Sequence, residues 1–150
     1  MKFMMLVIPA EGYGQVPPGT RGEDGHDGVY LPKADAVAQM AKYNDELARA
    51  GVLISLNGLH PPSAGARITF PGGKPKVQDG PFAEAKELVG GYWLIDVESQ
   101  AQAIEWACKI PPVEDFTIEV RQVEEADVFE GLQQEDSTYN QYQSKETPGT

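Results

Sequence analysis

Six consecutive apolar residues, Phe3, Met4, Met5, Leu6, Val7 and Ile8, stand at the start of the chain. A strand with one wet face alternates and a membrane span is far longer, so this run predicts a strand covered on both faces, in the middle of a sheet. Pro9 ends it, and residues 9–32, rich in Gly and Pro with scattered charge, predict a long loop. Over residues 33–50, Val37, Met40, Ala41, Leu47 and Ala48 fall at helical spacing. Pro32 precedes the first turn, and Gly51 stands where a left-handed cap would go. Residues 52–56 then predict a strand, broken by Gly58-Leu59-His60-Pro61-Pro62. Residues 66–70 and 76–78, separated by Pro71-Gly72-Gly73, predict a short inserted hairpin.

Residues 88–97 form a second run apolar on both faces, with Gly90-Gly91 predicting a bulge or a close backbone approach. Ser99 with Gln102 predicts a capping box at the start of a helix. Ile104, Ala107 and Cys108 supply its apolar stripe, Glu105 and Lys109 an i,i+4 pair, and Pro111-Pro112 its end. Phe116, Ile118 and Val120 alternate with Thr117, Glu119 and Arg121, the pattern of a strand with one wet face. The polar stretch at 131–150 predicts a mobile tail beyond a single domain at 1–130.

This order gives an α+β, ferredoxin-like βαββαβ fold with an inserted hairpin. Right-handed crossovers put the first and third main strands in the middle of a four-stranded antiparallel sheet, and these are the two runs apolar on both faces. Helices cover one side of such a sheet. The other side, carrying half of each central run, needs a partner, which predicts a homodimer with the two sheets facing each other.

Charge narrows the partners. Twelve basic against 23 acidic residues give a net charge of -11, and no cationic stripe is present to neutralise phosphates, so nucleic acid and anionic membranes are poor partners. Lys2 alone precedes the first apolar run and no small-residue cleavage site follows it. With Cys108 the single cysteine, the expectation is a cytoplasmic protein with no intrachain disulfide and no thiolate metal cluster. Cys108, on the apolar side of its helix, is expected in the core.

The most specific segment is Asp79-Gly80-Pro81-Phe82-Ala83-Glu84-Ala85-Lys86-Glu87. It resembles the DGPFAETKE signature of the DGPF family within the YCII-related proteins. Tyr43-Asn44-Asp45-Glu46-Leu47, Gly58-Leu59-His60-Pro61, Ala103-Ile104-Glu105-Trp106-Ala107 and Ile118-Glu119-Val120-Arg121-Gln122-Val123 are similar to family segments in the same order, covering the chain to about residue 130. Ala85 departs from the usual Thr, and the loop at 9–32 is longer than usual. The resemblance implies a ferredoxin-like subunit that pairs into a dimeric alpha-beta barrel. It also implies kinship with monooxygenases and chlorine-removing enzymes of that architecture, and an association of some members with bacterial sigma factors of the extracytoplasmic-function type.

Candidate chemistry gathers in the same region. His60, at a strand end stiffened by two prolines, has the side chain suited to a general acid or base near neutral pH, and Asp79 is the carboxylate to orient it if the hairpin folds back. The bland alternatives are a loop histidine bonded to backbone and an Asp that caps its own Asp-Gly-Pro turn. Glu84, Lys86 and Glu87 are either polar groups of a substrate pocket or a solvated charge run. Phe82 reads as an anchor for the turn. Tyr92 and Trp93 point to opposite faces of a central strand; one packs under the helices and the other enters the dimer interior, where it either simply packs or lines a ligand cavity, and on the second alternative Trp93 joins the substrate-binding candidates. His26, among Glu23, Asp24 and Asp27, is an exposed histidine or a weak cation contact. No metal-ligand spacing, dinucleotide fingerprint or nucleophile elbow is present, so neither metal nor organic cofactor is expected. Three functions remain open: a cofactor-independent small-molecule enzyme using His60 and Asp79, a non-enzymatic module that binds a ligand or a protein, and a dimeric scaffold with a filled cavity.

Overall fold

A computed structural model describes residues 1–9, 34–60, 62–80, 88–112 and 115–125. The loop at 9–32 beyond Pro9, with His26, lies outside them, as do Pro61, residues 81–87 of the signature with Phe82, Glu84, Lys86 and Glu87, and the tail at 131–150. The elements run β1 (Lys2–Pro9), α1 (Ala34–Arg49), β2 (Leu53–Gly58), β3 (Ala66–Thr69), β4 (Lys76–Asp79), β5 (Gly91–Asp96), α2 (Gln100–Cys108) and β6 (Phe116–Gln122). Four strands form an antiparallel sheet in the order β2-β5-β1-β6, and β3 and β4 form a separate hairpin. The fold is α+β and ferredoxin-like. As the two runs apolar on both faces predict, β1 and β5 are the central strands.

The period-two geometry of β1 and β5 divides their apolar residues between two environments. Phe3 and Met5 face the helices and join Tyr43, Leu47, Trp93, Ile95 and Ala103 in one buried cluster, against which Phe116, Ile118 and Val120 of β6 pack. Met4, Leu6 and Ile8 take the opposite face, where Met4 pairs with Leu94 and Leu6 with Tyr92 across β1 and β5. None of these five joins the buried cluster. Thr117, Glu119 and Arg121 of β6 flank them on the same face, as alternation predicts.

Both helices turn a different stripe inward from the one their obvious aliphatics suggest. On α1, Tyr43 and Leu47 are buried and Met40 packs against them, whereas Val37 is 50% exposed and Ala41 and Ala48 face solvent. A tyrosine with a satisfied hydroxyl covers more area than the alanines, and it sets the helix rotation. On α2 the inward residues are Ala103, Trp106 and Ala107, with buried Ile110 just beyond, while Ile104 is 46% exposed. Cys108 is exposed, not in the core.

The start of α2 is capped as expected: the Gln102 backbone N–H donates to Ser99 Oγ at 3.2 Å. The return bond of the box reaches one residue further back, from the Glu98 N–H to Gln102 Oε1 at 3.1 Å. The expected Glu105–Lys109 pair is replaced by a cation–π contact, with Lys109 Nζ 4.6 Å from the Trp106 ring centroid. A helix of nine residues ends at Cys108, before the proline pair is reached.

Candidate functional site

The path to the site begins where β2 leaves the sheet. β2 pairs with β5 through Leu56 with Trp93, Asn57 with Tyr92 and Gly58 with Gly91, after a bulge between Leu53 and Ser55. Asn57 Nδ2 donates to the Tyr92 hydroxyl at 2.9 Å, on the face opposite the buried cluster. The pairing then continues beyond the regular strands. The Leu59 N–H donates to the Gly90 carbonyl at 3.0 Å, and the Gly90 N–H donates to the Val7 carbonyl at 2.8 Å. Gly90 therefore ties Leu59, and with it His60, to the central strand β1.

Close approach crowds both positions of the Gly90-Gly91 pair, against backbone at Gly91 and against a side chain at Gly90. A Cβ on Gly91 would lie 2.9 Å from the Asn57 carbonyl oxygen and 3.3 Å from Gly58 Cα, and one on Gly90 would lie 2.9 Å from Pro9 Cγ. Of the two outcomes the pair predicts, close approach is the one found, and the bulge sits in β2 instead.

Beyond Leu59 the chain makes a 3-10 turn over Pro62–Ala64 and enters the hairpin. Ala66 pairs with Asp79, Arg67 with Gln78, Ile68 with Val77 and Thr69 with Lys76. The Gly80 N–H donates to the Gly65 carbonyl at 2.9 Å and closes the hairpin base. A cleft of about 440 Å³, open to solvent, lies between this base and the residues that enter β5. Its walls include Leu59, His60, Pro62, Arg67, Leu88 and Val89. Among the described residues, neither Phe nor Trp lines it. Leu59 and Val89 of these walls are 47% and 45% exposed.

His60 is one of the residues lining the cleft. Asp79 is exposed and pairs with cleft-lining Ala66, but no hydrogen bond or ion pair joins it to His60. Trp93 stays away from the cleft. It is 6% exposed beneath the helices, edge-on to Tyr43 at 5.8 Å, and its Nε1–H donates to Asn44 Oδ1 at 2.8 Å. Tyr92 is the aromatic residue on the other face. Of the residues flanking the segment that holds Glu84, Lys86 and Glu87, Leu88 lines the cleft and Gly80 donates to cleft-lining Gly65.

Arg67 is the cleft residue that sequence patterns do not single out. It belongs to no motif; the available signal was a cation flanked by small and apolar residues in a strongly acidic chain. Among the described residues no group of three or more His, Cys, Asp or Glu is placed to hold a metal ion, and no helix is long and apolar enough to cross a membrane.

The chain is 38% identical over 73 residues to an uncharacterised protein of Rhizobium meliloti (strain 1021), a match covering 49% of this chain. It spans 56% of that relative's length. The YCII-related domain family matches residues 1–127, which include every element of the sheet, both helices and the cleft. The chain belongs to the YCII-related domain family.

Proposed function

We propose that this protein binds a small molecule in the cleft beside His60 and that His60 moves a proton on it, without an organic cofactor. The observation that carries the reading is an open cleft, within the usual size of small-ligand sites, whose largely apolar walls include the His60 imidazole. On the strength of the 79–87 signature we place the chain in the DGPF subfamily and assign Glu84, Lys86 and Glu87 to substrate binding. Asp79 is assigned to orient His60 once a ligand draws the hairpin base inward, since catalytic hydrogen bonds commonly tighten only in the complex. A thermal-shift screen against a metabolite library tests this. A ligand at one hundred times its dissociation constant adds about 2.7 kcal/mol. Stabilising compounds should lose their effect in His60→Asn and be turned over by the wild type alone. Hits indifferent to His60→Asn, or no hit at all, would sink the reading.

A second reading is favoured by one specific observation, the lack of a His60–Asp79 bond: binding without turnover, in a module whose ligand or protein partner is regulatory. Hits that need His60 but are recovered unchanged would select it.

We also propose that the functional unit is a homodimer joined through the sheet face of Met4, Leu6, Ile8, Tyr92 and Leu94. These five residues lie side by side across the two central strands, opposite the buried cluster. An apolar stripe of this kind marks an association surface. Two copies meeting face to face would cover it on both at once, in the self-complementary manner of a twofold contact. Leu6→Arg should shift the protein from dimer to monomer in sedimentation at micromolar concentration; a wild-type monomer there defeats the proposal.

A further inference from the structure

We propose that the cleft selects a small carboxylate with an apolar body, its carboxylate held by Arg67 and His60. This deepens the reading above and rests on the cleft being the ligand site. Three observations support the sign of the charge. First, Arg67 and His60 are the charged or titratable groups among the cleft's described walls, and the rest of those walls is small or aliphatic. Second, the local charge opposes the global one. From residue 58 to residue 80 the chain carries Arg67, Lys74 and Lys76 against Asp79, three cations less one carboxylate, or +2, in a protein of net charge -11. Third, the hairpin register separates the signs. Directly paired residues share a face, so Arg67, Gln78, Thr69 and Lys76 lie on one side and Asp79, Ala66, Ile68 and Val77 on the other. Asp79 is therefore not set against Arg67.

A guanidinium presents five N–H donors in a planar fork matched to a carboxylate. Arg67 already takes part in another interaction, and a fork of five donors can serve both. The ligand's carboxylate would sit with Arg67 and His60. Its body would cover Leu59 and Val89, the two exposed aliphatics of the wall. Neutral and cationic ligands of the same shape would gain the apolar contact and lose the charged one.

The test uses the full chain with benzoate, benzamide and benzylamine, and with hexanoate against hexanamide, at constant ionic strength. Binding is followed by the imidazole C–H resonances of His60; the chain has two histidines, and His26→Asn assigns them. Both carboxylates should move the His60 resonances and bind about tenfold more tightly than their amides, the scale of one charge-assisted hydrogen bond. Arg67→Gln should remove that preference and leave amide binding unchanged, with far-UV circular dichroism showing an intact fold, while Arg67→Lys should keep part of it. Equal binding of acid and amide, or carboxylate binding indifferent to Arg67→Gln, overturns the inference and leaves the cleft as a ligand site. A preference for benzylamine overturns it too. If no compound moves the His60 resonances, the inference and the cleft reading fall together.

Discussion

Trp93→Ala should destabilise the fold by about 3 to 5 kcal/mol, the range for deleting a large buried aromatic. That is a large part of the stability of an ordinary domain and lowers Tm by about 10 °C. The magnitude follows from what the indole joins. It lies on central strand β5, 6% exposed, between Leu56 of β2 and Met5 of β1 in register, with the Tyr43 ring edge-on at 5.8 Å. Its Nε1–H donates to Asn44 of α1 at 2.8 Å. Tyr43 in turn donates its hydroxyl to the Trp106 carbonyl of α2 at 2.7 Å. Burial, and then the nearby Glu46 carboxylate, push the Tyr43 hydroxyl well above the usual tyrosine range, so it remains a donor through neutral pH. One residue thus couples the sheet to α1 and, through Tyr43, to α2. Trp93→Phe keeps most of the packing and loses the Asn44 bond, so it should cost about 1 to 2 kcal/mol. Urea unfolding followed by far-UV circular dichroism measures both. A loss under about 1 kcal/mol for Trp93→Ala would show that the cluster does not hold the helices to the sheet.

The same residues show what was legible before the structure. Consecutive apolar residues at 3–8 and 92–95 identify the central strands because a strand has only two faces, and apolar residues at successive positions must cover both. Helices are less determined. Apolar spacing gave α1 its existence and limits, but Ala41 and Ala48 carry too little area to fix its rotation, and Tyr43 prevails because its hydroxyl has a partner on α2. Lys109 had two partners at helical spacing, Glu105 and Trp106, and takes the ring. The site was legible in part. His60 could be placed at a cleft from the strand end and the prolines that follow. Arg67 could not, because what brings it to the cleft is the register of β3 on β4 and the closure at Gly65 and Gly80, and neither has a mark in the local pattern. Trp93 could be given either face by alternation alone. The parity of the whole β1–β5 ladder decides it, with Gly91, Trp93 and Ile95 under the helices.

Gly91→Ala should cost about 2 to 3 kcal/mol, the upper part of the range for overpacking a close-fitted position, and should disturb the cleft more than the core. The added methyl would stand 2.9 Å from the Asn57 carbonyl oxygen and 3.3 Å from Gly58 Cα, both backbone atoms with no rotamer to yield. Relief requires the end of β2 to move away from β5. That movement strains the Asn57–Tyr92 bond at 2.9 Å and the Leu59–Gly90 bond at 3.0 Å, the two links that carry the chain from the sheet to His60. Gly90→Ala is the instructive contrast. Its methyl would meet the Pro9 ring, a side chain at the end of a strand, at 2.9 Å, so the ring and its end of β1 can give way and the cost should be about 1 kcal/mol. Hydrogen exchange should rise at Leu59 and in β2 in Gly91→Ala and stay nearly unchanged there in Gly90→Ala. The His60 resonances should lose their response to cleft ligands only in the former. Equal and small effects of the two substitutions would mean that β2 holds its end without the close approach, and that His60 is positioned by the hairpin base alone.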